Sequence, residues 1–94
     1  MIRSFKTAMT ETVATTQKAP KGFPADLMRV AQRKLAMLNA AAVLDDLRSP
    51  PGNRLEALKG NRQGQHSIRI DDQWRICFVW TEAGAEDVEI VDHH

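Results

Sequence analysis

The hydrophobic period of this chain changes at SPPGN, residues 49–53. Paired prolines followed by glycine stop a helix, because proline lacks the N–H and disfavours helical backbone just before it. Before this stretch, Leu27, Ala31, Leu35 and Leu38 recur at i, i+4, i+8 and i+11. That is one face of an amphipathic helix, opened by Pro24 at a position where no N–H is needed. Val30 and Lys34 flank the stripe, with Arg29 and Arg33 at its edge. A second, Ala-rich helix is expected over residues 41–47. After the stretch the period is two. Helices first and strands after predict an α+β domain.

Strands are expected over residues 54–58, 65–70, 74–80 and 87–91. Residues 59–64 form a Gly-bracketed turn, Asp71-Asp72-Gln73 a hairpin link, and residues 82–86 another turn. In the second of these strands His66, Ile68 and Ile70 share one face, and Gln65, Ser67 and Arg69 the other. In the third, Trp74, Ile76, Phe78 and Trp80 alternate with Arg75, Cys77 and Val79. Upstream, IRSF at residues 2–5 alternates too and reads as a short first strand. Residues 7–21 hold five threonines and few large apolar groups, and are expected to be a mobile loop or a weak, frayed helix. The expected layout is β–α–α–β–β–β–β: an N-terminal strand and two helices on a mainly antiparallel sheet, a single domain over residues 1–94.

At 43% hydrophobic and 27% charged residues, the chain has the composition of a globular protein and not of a disordered one. Its longest apolar run, residues 40–44, is far too short to span a membrane. The opening MIRSFKTAMTE has no apolar h-region, so no secretory signal is expected. One cysteine, Cys77, cannot form an internal disulfide, which fits a reducing cytoplasm. The net charge of +1 conceals an asymmetry: residues 1–81 hold 13 Lys and Arg against 7 Asp and Glu, while residues 82–94 hold 5 acidic residues and no Lys or Arg. A basic body with an acidic last strand fits either a polyanion partner or a solvated surface.

Three groups invite chemistry. The terminal Asp92-His93-His94 and the remaining histidine, His66, raise the question of a metal. Zinc sites draw on three or four ligands, and no CxxC or HExxH is present. Adjacent residues on a strand also point to opposite faces, so His93 and His94 are poorly placed to chelate together, and no metal is expected. Cys77, in mid-strand among apolar groups, reads as a buried structural thiol. The basic residues Lys59, Arg62, Arg69 and Arg75 fall on or beside consecutive strands. Arg69 and Arg75 are expected on the face opposite Ile68, Ile70, Ile76 and Phe78, giving a cationic surface behind an apolar one. Such a surface near a carboxylate and imidazoles suits a phosphodiester. Trp74 and Trp80 read as core or rim aromatics, or as platforms for bases.

The stretch RLEALKGNRQGQHSIRIDDQWRICFVW, with the terminal VEIVDHH, resembles the HigB branch of the RelE/ParE toxin superfamily. The opening IRSF and the PPGNRL before the second strand fit the same pattern. The most specific parts are L-x-x-L-K-G-x-R at residues 55–62, the hairpin N/D-x-W-R-I-x-F at residues 72–78, and the Asp-x-His ending. The resemblance implies a compact RelE-like fold and a toxin of a type II toxin–antitoxin system. It implies cleavage of mRNA on the ribosome without metal or cofactor, by attack of a 2′-hydroxyl on the adjacent phosphodiester. Implied partners are the ribosome with its mRNA and a helix-turn-helix antitoxin (HigA-like), with operator DNA bound only through that antitoxin.

By the same resemblance Lys59 and Arg75 match phosphate-stabilising residues, and Asp92 and His94 match proton-transfer or positioning groups. Arg62 and Arg69, with Lys59, are RNA-binding candidates by their charge and their place on or beside the strands. Two positions depart from the pattern. Glu56 stands where some members carry histidine, and His93 stands where tyrosine is common. Both are candidates for the acid–base set. The alternative within the superfamily is a non-nuclease member, a gyrase inhibitor like ParE or a degenerate toxin acting mainly by binding its antitoxin.

Overall fold

A computed structural model describes residues 1–92 of the chain. Its elements are α1 (Ala8–Thr15), α2 (Met28–Ala40), β1 (Glu56–Ala57), β2 (His66–Arg69), β3 (Trp74–Thr81) and β4 (Gly84–Asp92). Short 3₁₀ turns occupy Ala25–Leu27, Leu44–Arg48, Pro51–Asn53 and Gly60–Arg62. The strands form one antiparallel sheet in the order β1-β2-β3-β4. Both helices contact β4. The α+β architecture expected from the change of period is the one observed.

α2 buries Ala31, Leu35 and Leu38 of the expected stripe, with Met28 in place of Leu27, which ends the preceding 3₁₀ turn half-buried. Together with Val13 and Leu47 they meet Ile68, Ile76, Phe78, Val88 and Ile90 of the sheet. Each large side chain removed from water here contributes about 1.5–3 kcal/mol. Trp74 and Trp80 settle into this layer: Trp74 lies edge-on to Phe23 at 5.1 Å and Trp80 edge-on to Phe78 at 6.4 Å.

Within residues 7–21, expected to be a mobile loop or a weak, frayed helix, lies α1. Thr7 caps it by accepting from Thr10 N at 3.2 Å. Thr10 and Val13 are fully buried, and the Thr10 hydroxyl accepts from Ile90 N at 2.9 Å, tying α1 to β4. At the other end Gln32 Nε2 donates to the Val13 and Thr16 carbonyls at 3.1 and 2.8 Å. Polar clamps thus do the work that an apolar stripe does in α2.

Three boundaries differ from expectation. Residues 41–43 are not helical: the Asp46 carboxylate accepts from Ala42 N and Val43 N, so the helical turn starts only at Leu44. The strand expected over residues 54–58 shrinks to Glu56–Ala57, because Arg54 takes a left-handed backbone (φ 46°) as the Pro51–Asn53 turn closes. β4 begins at Gly84, not Asp87, after a two-residue link. Gly84 has φ 130°, and a Cβ there would lie 2.0 Å from the Met1 carbonyl oxygen. The close approach exists because the first residues run parallel to β4, with Ile2 bridging Ala85 and Phe5 bridging Val88. The short first strand therefore consists of two bridges that cover an otherwise open sheet edge.

One irregularity in β4 decides which side chains share a face. Val79 pairs with Glu86, yet Cys77 pairs with Glu89, so β4 carries one extra residue. Asp87, with φ 51° and its N–H bound to Ser4 Oγ at 2.9 Å, lies in this bulge.

Candidate active site

On the sheet face away from the apolar core, two rows of cross-strand partners form. One runs Glu56, Ser67, Cys77, Glu89, and the next runs Arg69, Arg75, Val91. Arg69 and Arg75 are direct partners. Like charges at directly opposite sheet positions repel, so this arrangement needs anions beside it. Two are present: Asp72 pairs with Arg69, and Glu56 Oε1 lies 3.7 Å from Arg75 Nη2.

Arg75 is only 8% exposed. Its Nε donates to Ser67 Oγ at 2.7 Å, and its Nη2 donates to the Arg54 carbonyl at 2.8 Å and the Ser67 carbonyl at 3.4 Å. A buried cation is tolerated only when its donors are satisfied in this way. None of these bonds uses Nη1. Arg75 is therefore a preorganised cation, fixed in direction before any ligand arrives. Around it Arg54, Glu56, Arg69, Asp71 and Asp72 complete a cleft of about 300 Å³. Asp71 shapes the rim: its Oδ1 accepts from Gln73 N and Trp74 N, which fixes the β2–β3 link.

The sequence-based candidates divide. Glu56, Arg69 and Arg75 come together in the cleft. Lys59 and Arg62 do not line it. Arg62 Nη1 instead bonds Glu89 Oε1 and Gln65 Oε1, each at 3.1 Å, while Lys59 is exposed at the start of the Gly60–Arg62 turn. Asp92 pairs with Trp74 in register, which assigns it to the helix side of the sheet, and its Oδ2 accepts from Gln73 Nε2 at 3.1 Å. The register therefore puts Val91, not Asp92, opposite Arg75; His93 and His94, the other terminal candidates, lie outside the described residues.

His66 also lies on the core side, stacked on Phe78 at 6.3 Å. Among the described residues no three His, Cys, Asp or Glu side chains gather into a group able to hold a metal ion. Cys77 is buried as expected, but its setting is not apolar. It sits on the arginine face, where burial pushes its thiol pKa up and Glu89 and Glu56 add to the shift against Arg62 and Arg75. A raised pKa suppresses the nucleophilic thiolate.

Four contributors escaped the sequence reading: Arg54, Ser67, Asp71 and Asp72. Ser67 had one visible signal, a small hydroxyl on the arginine face of its strand. For Arg54 there was none, since a left-handed backbone at a non-glycine residue cannot be read from residue types. A second groove of about 330 Å³, between the helices and the first residues, is lined by Ile2, Phe5, Leu35 and other uncharged residues and offers no cation to a phosphate.

Over residues 3–94 the chain matches the family described as the RelE-like toxin of type II toxin-antitoxin system HigB. The chain belongs to the HigB family. It is 37% identical over 93 residues to Toxin HigB-1 of Vibrio cholerae, covering 99% of this chain and 98% of that one. It is also 34% identical over 70 residues to an uncharacterized protein of Haemophilus influenzae, covering 74% of this chain and 69% of the relative. As a HigB-like toxin of a type II system it has an antitoxin as its partner. Among the described residues no helix is long and apolar enough to cross a membrane.

Proposed function

We propose that this HigB-family toxin is an endoribonuclease that cleaves mRNA on the ribosome, in the cytoplasm, and is held in check by a helix-turn-helix antitoxin. The observation that carries the reading is the Arg69–Arg75 pair at the floor of a cleft: two cations directly opposite each other, one fixed by buried hydrogen bonds. A phosphodiester between them relieves their repulsion better than the flanking carboxylates do, because it accepts from both guanidiniums at once.

In the proposed reaction a 2′-hydroxyl attacks the adjacent phosphorus, loses its proton to a base, and the bond to the 5′-oxygen breaks as that oxygen gains a proton. Charge builds on the phosphorane oxygens in between, and Arg75 stabilises it. Glu56, in the cleft beside Arg75, is the candidate base. His93 and His94 supply proton transfer at the leaving oxygen, a role carried by the family resemblance, while Asp92, on the helix side of the sheet, acts as a positioning residue through its bond from Gln73 Nε2. Lys59 and Arg62, outside the cleft, contact the message or the ribosome as it passes.

A second reading has one observation in its favour. Arg69 and Arg75 are already paired with internal carboxylates, as in a toxin that has lost cleavage and acts by binding alone. Mapping mRNA 5′-ends in cells expressing wild type, Arg75→Ala or His94→Ala separates the two. Nuclease action gives new ends that fall by about 10²–10³ in Arg75→Ala. Growth arrest without new ends, or arrest undiminished in both variants, would leave the binding-only reading standing.

A further inference from the structure

Of the three arginines in the cleft, Arg69 and Arg75 are held by carboxylates. Arg54 is exposed at the rim, and among the described residues its guanidinium makes no ion pair or hydrogen bond. Its backbone is nevertheless left-handed, with φ 46° and ψ 55°. An L side chain is strained in that region, and glycine is the residue that occupies it freely. Strained backbone at an arginine whose side chain makes no compensating contact points to use of that side chain by a ligand. The carbonyl of the same residue has a separate duty, accepting from Arg75 Nη2 at 2.8 Å.

We infer that Arg54 is a phosphate-binding residue of the cleft: its guanidinium takes the RNA phosphate next to the one held by Arg75, while its carbonyl aims Arg75. The inference rests on the endoribonuclease reading and adds to it a contact outside the reacting bond. Burial separates the two roles. Arg75 is on the floor and fixed, suited to charge that develops in the reaction, whereas Arg54 is on the rim and unfixed, suited to a ground-state contact. Its loss therefore raises KM with little change in kcat.

The left-handed backbone provides an unusually clean variant. Arg54→Gly deletes the guanidinium, keeps the carbonyl, and relieves the strain, so the protein melts a few degrees higher than wild type. The binding probe is a ribosome programmed with message carrying 2′-O-methyl groups, which cannot be cut. Arg54→Gly is expected to bind it about fivefold more weakly at physiological salt, with the slope of log K against log salt shallower by about 0.7, one phosphate contact on a single strand. Arg54→Lys keeps the charge and restores the wild-type slope without the gain in melting temperature. If Arg54→Gly melts higher but binds with wild-type affinity and slope, the inference is wrong, as it is if affinity falls at an unchanged slope. A variant that melts lower removes the strain argument and overturns it too. If wild type itself binds the programmed ribosome without salt dependence, the endoribonuclease reading fails first, and that failure is visible before any variant is measured.

Discussion

The two faces of the sheet are both buried along β3, but by unlike means. On one, Trp74, Ile76 and Phe78 pack against the helices, and stability follows from area removed from water. On the other, Arg75 and Cys77 are equally hidden, and the Arg75 guanidinium is held by Ser67 Oγ and by the Arg54 and Ser67 carbonyls. The apolar face tolerates any well-fitting hydrocarbon. The polar face is organised around one guanidinium, and its stability depends on pairing being complete. Such a face costs more to build than an apolar one, and what it offers in return is a preorganised cation at a cleft.

The largest break in this comparison comes on the apolar face. Phe78→Ala is expected to destabilise by about 4 kcal/mol, measured by urea unfolding, since Phe78 is fully buried at the centre of the sheet. Next is Asn53→Ala. Asn53 is fully buried, accepts from Lys34 Nζ, and donates to the Leu47 carbonyl at 3.2 Å, so it ties α2 to the turn that carries Arg54. Its loss leaves the buried Lys34 ammonium without that acceptor, at a cost of about 3 kcal/mol. Lys34→Met in the same chain recovers part of the loss, because removing both partners is milder than removing one.

Cys77 gives a smaller, pH-dependent difference. Burial, with Glu89 and Glu56, raises its pKa above the ordinary 9.0 in the folded chain. The folded state thus holds the proton more tightly than the unfolded one, and this contribution is whole below pH 9.0 and lost as pH rises through the folded pKa. Wild type should lose more stability than Cys77→Ala between pH 9 and higher alkaline values, read by urea midpoints along a pH series. A thiol reagent at pH 8 should leave folded wild type unmodified and label it in urea.

Legibility in the sequence followed the kind of force at work. α2 and the β2–β3 hairpin were legible because apolar period encodes them directly, and so was the opposition of Arg69 and Arg75 to Ile68 and Ile76. α1 was legible only as a loop or a weak, frayed helix, since Thr10 and Gln32 hold it through hydrogen bonds that leave no periodic trace. The side of the sheet on which Asp92 falls was also hidden, and the cause is one residue. Near the turn, Thr81 pairs with Gly84 and Val79 with Glu86; carried on without a bulge, that register would place Ile90 opposite Arg75 and Asp92 on the arginine face. The extra residue at Asp87 shifts the pairing so that Ile90 meets Ile76 in the core and Asp92 meets Trp74. A one-residue slip moves a whole strand's side chains to the other face, and nothing in residue types announces it.

The finest test of the comparison is Asp72, which is paired with Arg69 but has a side chain 99% exposed. An exposed ion pair gains little in water and is screened by salt, so Asp72→Asn should leave the melting temperature where it is. Its effect on function has the opposite sign to that of every change on the apolar face. With the carboxylate gone, Arg69 is no longer neutralised at the cleft mouth, and a phosphate competes with nothing for it. Binding to ribosomes carrying uncleavable message should tighten by roughly two- to fivefold at low salt, with the gain shrinking as salt rises. A gain that persists at high salt would mean that Asp72 acts on the shape of the β2–β3 link, as Asp71 does, and not through its charge.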